Sequence, residues 1–152
     1  MADAHEYYME LAIKEAKSAG QIGEVPVGAI LVSENGEILS AAHNLTIKLV
    51  DPTAHAEILA LRKAALEINN YRLLNTTLYV TVEPCIMCMG AIVHARVSRV
   101  VFGAADPKWG AAGSLYNVAE DDRLNHHVEI ITGARAEDCR RLMQDFFWAK
   151  RG

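Results

Sequence analysis

The sequence predicts an α/β fold, a mixed sheet with helices on both faces, and three observations predict it. A segment rich in Ala, Glu, Lys and Leu opens the chain; two short β-branched runs joined by a turn signal follow; strand-like and helix-like runs then alternate. Two strands paired by a tight turn, followed by strands that alternate with helices, give a mixed sheet of five strands layered between helices.

Each element has its own warrant. Residues 4–19 read as a helix, with Gly20 as its stop. Val25 to Val32 is an apolar, β-branched strand, Glu34-Asn35-Gly36-Glu37 a turn, and Ile38 to Ala42 the returning strand of a hairpin. Asp51-Pro52-Thr53 breaks the chain and caps a helix from about Ala54 to Ile68. Leu78 to Val82 is a short strand, and Pro84 opens a helix that reaches about His94. Arg99 to Phe102 and Val128 to Ile131 are two further strands, separated by a long loop, 103–126, that carries Gly110 and Gly113. A loop of that length in a small domain is more often functional than idle. The last helix, Ala136 to Ala149, places Cys139, Leu142, Met143, Phe146 and Phe147 at the spacing of a core-facing stripe, with Phe147 at its edge.

With 152 residues, 51% apolar and 22% charged, the chain reads as one domain, large enough to fold without disulfides. Its three cysteines, two of them in Cys-x-x-Cys, do not suit a disulfide scaffold. Met-Ala-Asp-Ala-His-Glu is acidic and lacks the apolar stretch of a signal peptide, and no apolar run nears the roughly 20 residues that span a bilayer. A cytoplasmic location with no membrane partner is the expectation. The net charge of −4 argues against non-specific nucleic-acid binding, DNA included, though Lys108, Arg140, Arg141, Lys150 and Arg151 could form a local basic patch or simply solvate the surface.

The chemistry gathers in a split cluster, His55-Ala56-Glu57 and Pro84-Cys85-Ile86-Met87-Cys88. One imidazole and two thiolates are three zinc ligands, and three protein ligands leave a position open for water, as in catalytic sites and unlike closed structural ones. Glu57 is then a carboxylate free to handle a proton. Cys85 and Cys88 share one helix face, near the positive end if Pro84 opens that helix. His55 and Glu57, two apart, converge only where the chain is entering its helix, so the site requires two helix starts at one sheet edge. Taken singly the members say less. Cys-x-x-Cys also fits a redox pair, and a zinc finger would need two further ligands that are not present at the right spacing. His94 lies on the far side of its helix, and Cys139 belongs to the core stripe.

His55-x-Glu57 with Pro84-Cys85-x-x-Cys88 resembles the signature of the zinc nucleobase deaminases. Further stretches are similar to the bacterial tRNA-specific adenosine deaminases: Glu24-Val25-Pro26-Val27-Gly28-Ala29, Asp51-Pro52-Thr53-Ala54, Asn70-Tyr71-Arg72-Leu73, Arg99 to Ala104, Gly110 to Ser114 and Asp145-Phe146-Phe147. The resemblance runs from about Tyr7 to Arg151. It implies a three-layer α/β/α cytidine deaminase-like fold, one Zn2+ per subunit on His55, Cys85 and Cys88, a homodimer, and conversion of the wobble adenosine of a tRNA anticodon to inosine. Glu57 is implied as the proton shuttle between the activated water, N1 of adenine and the departing ammonia. Asn44, which could otherwise be a turn residue, is implied to hold the flipped base. The backbone of Ala56 reads its edge, and Val27 and Gly28 shape the pocket wall. Asp145, Phe146 and Phe147, with Lys108, are implied to meet the anticodon stem-loop. Trp109 and Trp148 depart from the family pattern, and the sequence ends at Gly152 without a longer basic tail.

Two other functions compete. One is a deaminase of a free base or nucleoside, guanine or cytosine, on the same fold. The other is an RNA-binding module with structural zinc, which leaves Glu57 without a use.

Overall fold

The computed structural model describes residues 2–151; Met1 and Gly152 lie outside them. α1 (Ala2–Gln21) leads into the hairpin β1 (Gly28–Val32) and β2 (Ile38–His43). Then come α2 (Ala56–Ile68), β3 (Thr77–Val82), α3 (Ile86–His94), β4 (Arg99–Ala104), β5 (Glu129–Thr132) and α4 (Ala136–Arg151). The strands form one sheet in the order β2-β1-β3-β4-β5. β1 is antiparallel to both β2 and β3, while β3, β4 and β5 are parallel. The mixed five-stranded sheet expected from the sequence is therefore present.

Alternate residues of the inner strands serve two cores. Ala29 and Leu31 of β1, Leu78 and Val80 of β3, and Val100 and Phe102 of β4 pack with Leu59, Ala60, Met89 and Ile92 of α2 and α3. Ile30, Tyr79 and Val101 point the other way, to Met9, Ala12 and Ile13 of α1 and Cys139 of α4. That is the α/β/α layering. α1 lies directly on β1, because a Cβ at Gly28 would sit 2.0 Å from the Ala12 carbonyl oxygen. Arg135 at the head of α4 pairs with Glu10 and, at 2.6 Å, with Asp138, tying the two outer helices together.

Three boundaries differ from expectation. α1 passes through Gly20 and stops at Gly23 (φ +83°), where Glu24 N–H donates to the Ala19 carbonyl and Gly23 N–H to that of Gly20. This is a Schellman stop, which needs a left-handed residue one position past the cap. β1 starts at Gly28, not Val25, because Pro26 has no N–H to give a ladder. The end of α4 is not core: only Cys139 is buried in that helix, and Phe147 is 44% exposed. Leu142 and Met143 still pack, partly buried, against the cores, and beyond Met143 the stripe runs out over the surface.

The layout positions the site. The carboxyl ends of β3, β4 and β5 share an edge with the start of β1, and α2 and α3 begin there. Such carboxyl-end crevices are where α/β sheets bind ligands.

Candidate metal centre

His55 is the N-cap of α2 and Cys85 the N-cap of α3, both with extended backbones (φ −74°, ψ 153°; φ −76°, ψ 176°). Neither side chain makes a capping hydrogen bond, so imidazole and thiol remain free to face each other. Pro84 precedes the cap instead of opening the helix as expected. Cys88 follows one turn into α3 and is buried. His55 Nδ1 lies 3.7 Å from Cys85 Sγ and 3.5 Å from Cys88 Sγ. Tetrahedral zinc, with bonds of roughly 2.0 Å to nitrogen and 2.3 Å to sulfur, separates such ligands by about 3.5 Å. The three residues thus have the spacing of a zinc site, and among the described residues they form the one cluster of this kind.

The electrostatics agree with the geometry. Cys85 is lowered to about 4, chiefly because the Cys88 thiol donates to its sulfur, with a further bond from His55. Cys88 moves up for the reciprocal reason, since it keeps the shared proton, and burial adds to the rise. The two sulfurs thus share one proton, with the thiolate character on Cys85. His55 is raised by its bond to Cys85, against the effect of burial.

Glu57, in the first turn of α2, is 4% exposed and its Oε1 has no hydrogen-bond partner among the described residues. Burial pushes its carboxyl up to about 7. A sealed carboxyl oxygen without a partner is costly unless something outside the chain meets it. A three-ligand site beside an unmet carboxyl oxygen is the donor set that a catalytic zinc requires, so the residues present suit that ion.

Asn44, just past β2, is buried, and its Oδ1 accepts the Ala56 N–H at 2.7 Å. It therefore supplies the cap that Asp51-Pro52-Thr53 was expected to give. Asp51 instead closes its own turn, accepting from the Thr53 N–H and hydroxyl at 2.8 Å each. The Ala56 N–H is thereby engaged by Asn44. Gly28 faces α1 on the opposite side of the sheet, so only its backbone could contribute to a pocket wall. Val27 packs in the core beside Ala54 and Ala56, next to the site.

Two residues that the sequence reading passed over hold the flanking loops. Glu24 is buried, and its carboxylate accepts the Lys48 N–H at 2.8 Å, the Ile47 N–H at 3.2 Å and the Thr46 hydroxyl at 3.3 Å. Glu83, 3% exposed, accepts the N–H groups of Asp106 (3.0 Å), Ala112 (2.9 Å) and Ser114 (3.0 Å) and the Ser114 hydroxyl. Burial raises both carboxyls, but these bonds outweigh it and leave both below the ordinary value. The sequence does carry a signal, an acid just ahead of proline inside an apolar stretch: Glu24-Val25-Pro26 and Glu83-Pro84. Lys108 is exposed in the loop that Glu83 anchors. Asp145, Phe146 and Phe147 lie on α4, across the sheet, and the aromatic contacts there are local: Phe146 meets Phe147 edge-on at 5.3 Å and lies under Lys150.

Residues 2–104 match the zinc-binding region of cytidine and deoxycytidylate deaminases. The chain is 50% identical over 146 residues to the tRNA-specific adenosine deaminase of Haemophilus influenzae, covering 96% of this chain and 84% of that one. It is 49% identical over 142 residues to the tRNA-specific adenosine deaminase of Bacillus subtilis, covering 93% and 88%. The chain belongs to the tRNA-specific adenosine deaminases. A solved structure from a study of A-to-I editing by tRNA:A34 deaminases at the wobble position of transfer RNA superposes with a TM-score of 0.86. The two share 40% identity over 90% of this chain and 98% of the other. The fold is thus cytidine deaminase-like, the site a zinc site, and the protein a hydrolase.

Proposed function

We propose that this chain deaminates adenosine to inosine at the wobble position of a tRNA anticodon, as a single zinc-dependent domain that works as a homodimer in the cytoplasm. The observation that carries the reading is Glu57, sealed and with its Oε1 unmet among the described residues, beside a three-ligand cluster, in a chain about half identical to tRNA-specific adenosine deaminases. Zinc held by His55, Cys85 and Cys88 would supply Lewis-acid activation of water at neutral pH. Glu57 accepts the proton that the water gives up and delivers it to N1 of adenine as oxygen adds at C6. It then takes the remaining hydroxyl proton at C6 and passes it to the departing amine, so that the C6–N bond breaks, ammonia leaves and the hypoxanthine ring remains. A carboxyl raised to about 7 suits a group that must both take and return a proton at neutral pH. Asn44 has its Oδ1 committed to Ala56, which leaves its Nδ2 as a donor for the base.

Lys108, Asp145, Phe146 and Phe147 are the proposed contacts to the anticodon stem-loop, with the exposed ring of Phe147 able to stack on a base. The apolar side chains of Leu66, Ile68 and Ile86 on α2 and α3 are surface that a second copy would cover. No helix of the described residues is long and apolar enough to cross a membrane, and no DNA substrate is proposed.

Purified zinc-loaded protein should form inosine in an arginine tRNA with A at the wobble position. It should form none in the same tRNA with G there, or from free adenosine, cytidine or guanine. Turnover of a free base with inert tRNA would keep the zinc chemistry and overturn the substrate.

A further inference from the structure

The loop after β4 is held to the metal-bearing turn from several sides. Glu83 takes its four bonds, the Ala111 N–H donates to the Pro84 carbonyl at 2.9 Å, and Gly110 pairs with Cys85 in an antiparallel bridge. Gly110 is required there, since a Cβ would come within 2.3 Å of the Glu83 carboxyl carbon. Asp106 Oδ1 closes the intervening turn by accepting the N–H groups of Lys108 (3.0 Å) and Trp109 (3.2 Å).

At the tip of this fastened loop stands Trp109, 69% exposed, with no aromatic or hydrogen-bond partner for its indole among the described residues. Its backbone neighbour is paired with a metal ligand. One cross-strand spacing and one Cα step put the Trp109 Cα within about 9 Å of the Cys85 Cα. A large apolar ring presented on a rigid loop beside a site, next to the exposed ammonium of Lys108, is suited to stacking on a base whose phosphate the lysine meets.

The geometry points to Trp109 as a stacking platform for a nucleobase adjacent to the one being deaminated, a contact through which this chain recognises the RNA strand around its target. The inference rests on the proposed tRNA reading. It differs from contacts made by α4, because Trp109 is fixed to the metal turn itself and so governs how neighbouring nucleotides enter.

The test uses full-length zinc-loaded protein and an anticodon stem-loop RNA with adenosine at the wobble position. A Trp148→Phe background leaves Trp109 as the single tryptophan. Adding RNA should quench its fluorescence. Trp109→Ala should weaken RNA binding about five- to 150-fold, expressed in KM more than in kcat, and Trp109→Phe should recover most of the loss. Unchanged fluorescence together with unchanged affinity overturns the proposal. So does a fall to a smaller species on sedimentation of Trp109→Ala, which would assign the ring to a contact between copies. Inosine formation by the unaltered chain is measured in parallel. Turnover with an indifferent Trp109→Ala overturns the stacking role alone, whereas no turnover overturns the reading beneath it as well.

Discussion

Glu57 and Glu83 lie at the same edge of the sheet, both nearly sealed from water, and they move in opposite directions. Glu83 is met by three N–H groups and a hydroxyl and falls below the ordinary carboxylate value; Glu57, with one oxygen unmet, rises to about 7. Burial raises both; it dominates at the more deeply set Glu57, whereas at Glu83 the four donated bonds together outweigh it. A buried carboxylate ringed by donors is a fastening, and one with an oxygen left unmet is poised for exchange with something that enters the site. Glu24 repeats the fastening on the loop that precedes α2.

The contrast is broken most sharply at Glu57. Glu57→Ala should lower deamination by at least about 10²- to 10⁴-fold while one zinc per chain remains, as read by inosine assay and metal analysis together; near-normal activity would remove the proton shuttle. Cys88→Ala comes next. It should lose the metal and melt lower by about 10 °C, because metal binding is linked to folding, and full zinc occupancy would reject Cys88 as a ligand.

Glu83→Ala tests the other side of the comparison. Leaving several loop donors unmet should cost about 2–4 kcal/mol in denaturant unfolding, and a neutral effect would mean that the loop is not held as described. The same fastenings set the acid limit. Glu24 and Glu83 have lowered values in the fold, so their contribution is fully present above the ordinary value of 4.5 and is lost as pH falls through the lowered ones. Melting temperature should therefore drop below about pH 4.5, and less steeply in a Glu24→Gln, Glu83→Gln double variant. The smallest stability effect is expected at Phe147. Phe147→Ala should change stability by less than about 1 kcal/mol and yet weaken RNA binding; a large melting loss would return that ring to the core.

Much of this was legible in the chain. The strand and helix runs gave the layered sheet because side-chain periodicity reports which face is buried. The spacing of His55, Glu57, Cys85 and Cys88 announced a site at two helix starts, because only there do residues two apart converge. Cys139 also read correctly as packed, being 1% exposed with its thiol pushed up to about 12 by burial. The stop at Gly23 and the orientation of Gly28 were not legible in the same way, and Phe147, at the edge of the stripe, was left between core and surface until the structure exposed it. Each depends on where a second element lies.

By itself, then, the sequence determined the elements, the ligand set and the chemistry those ligands can hold, since these follow from residue type and short-range spacing. The tertiary structure alone decided that Asn44 caps α2, that Glu24 and Glu83 fasten the two loops, that Gly28 turns to α1, and that Glu57 Oε1 is left unmet among the described residues. Those facts rest on groups tens of residues apart: 12 between Asn44 and Ala56, and 23 to 31 between Glu83 and its donors. No local pattern encodes which amide will meet a buried carboxylate; only the packed sheet brings the two together.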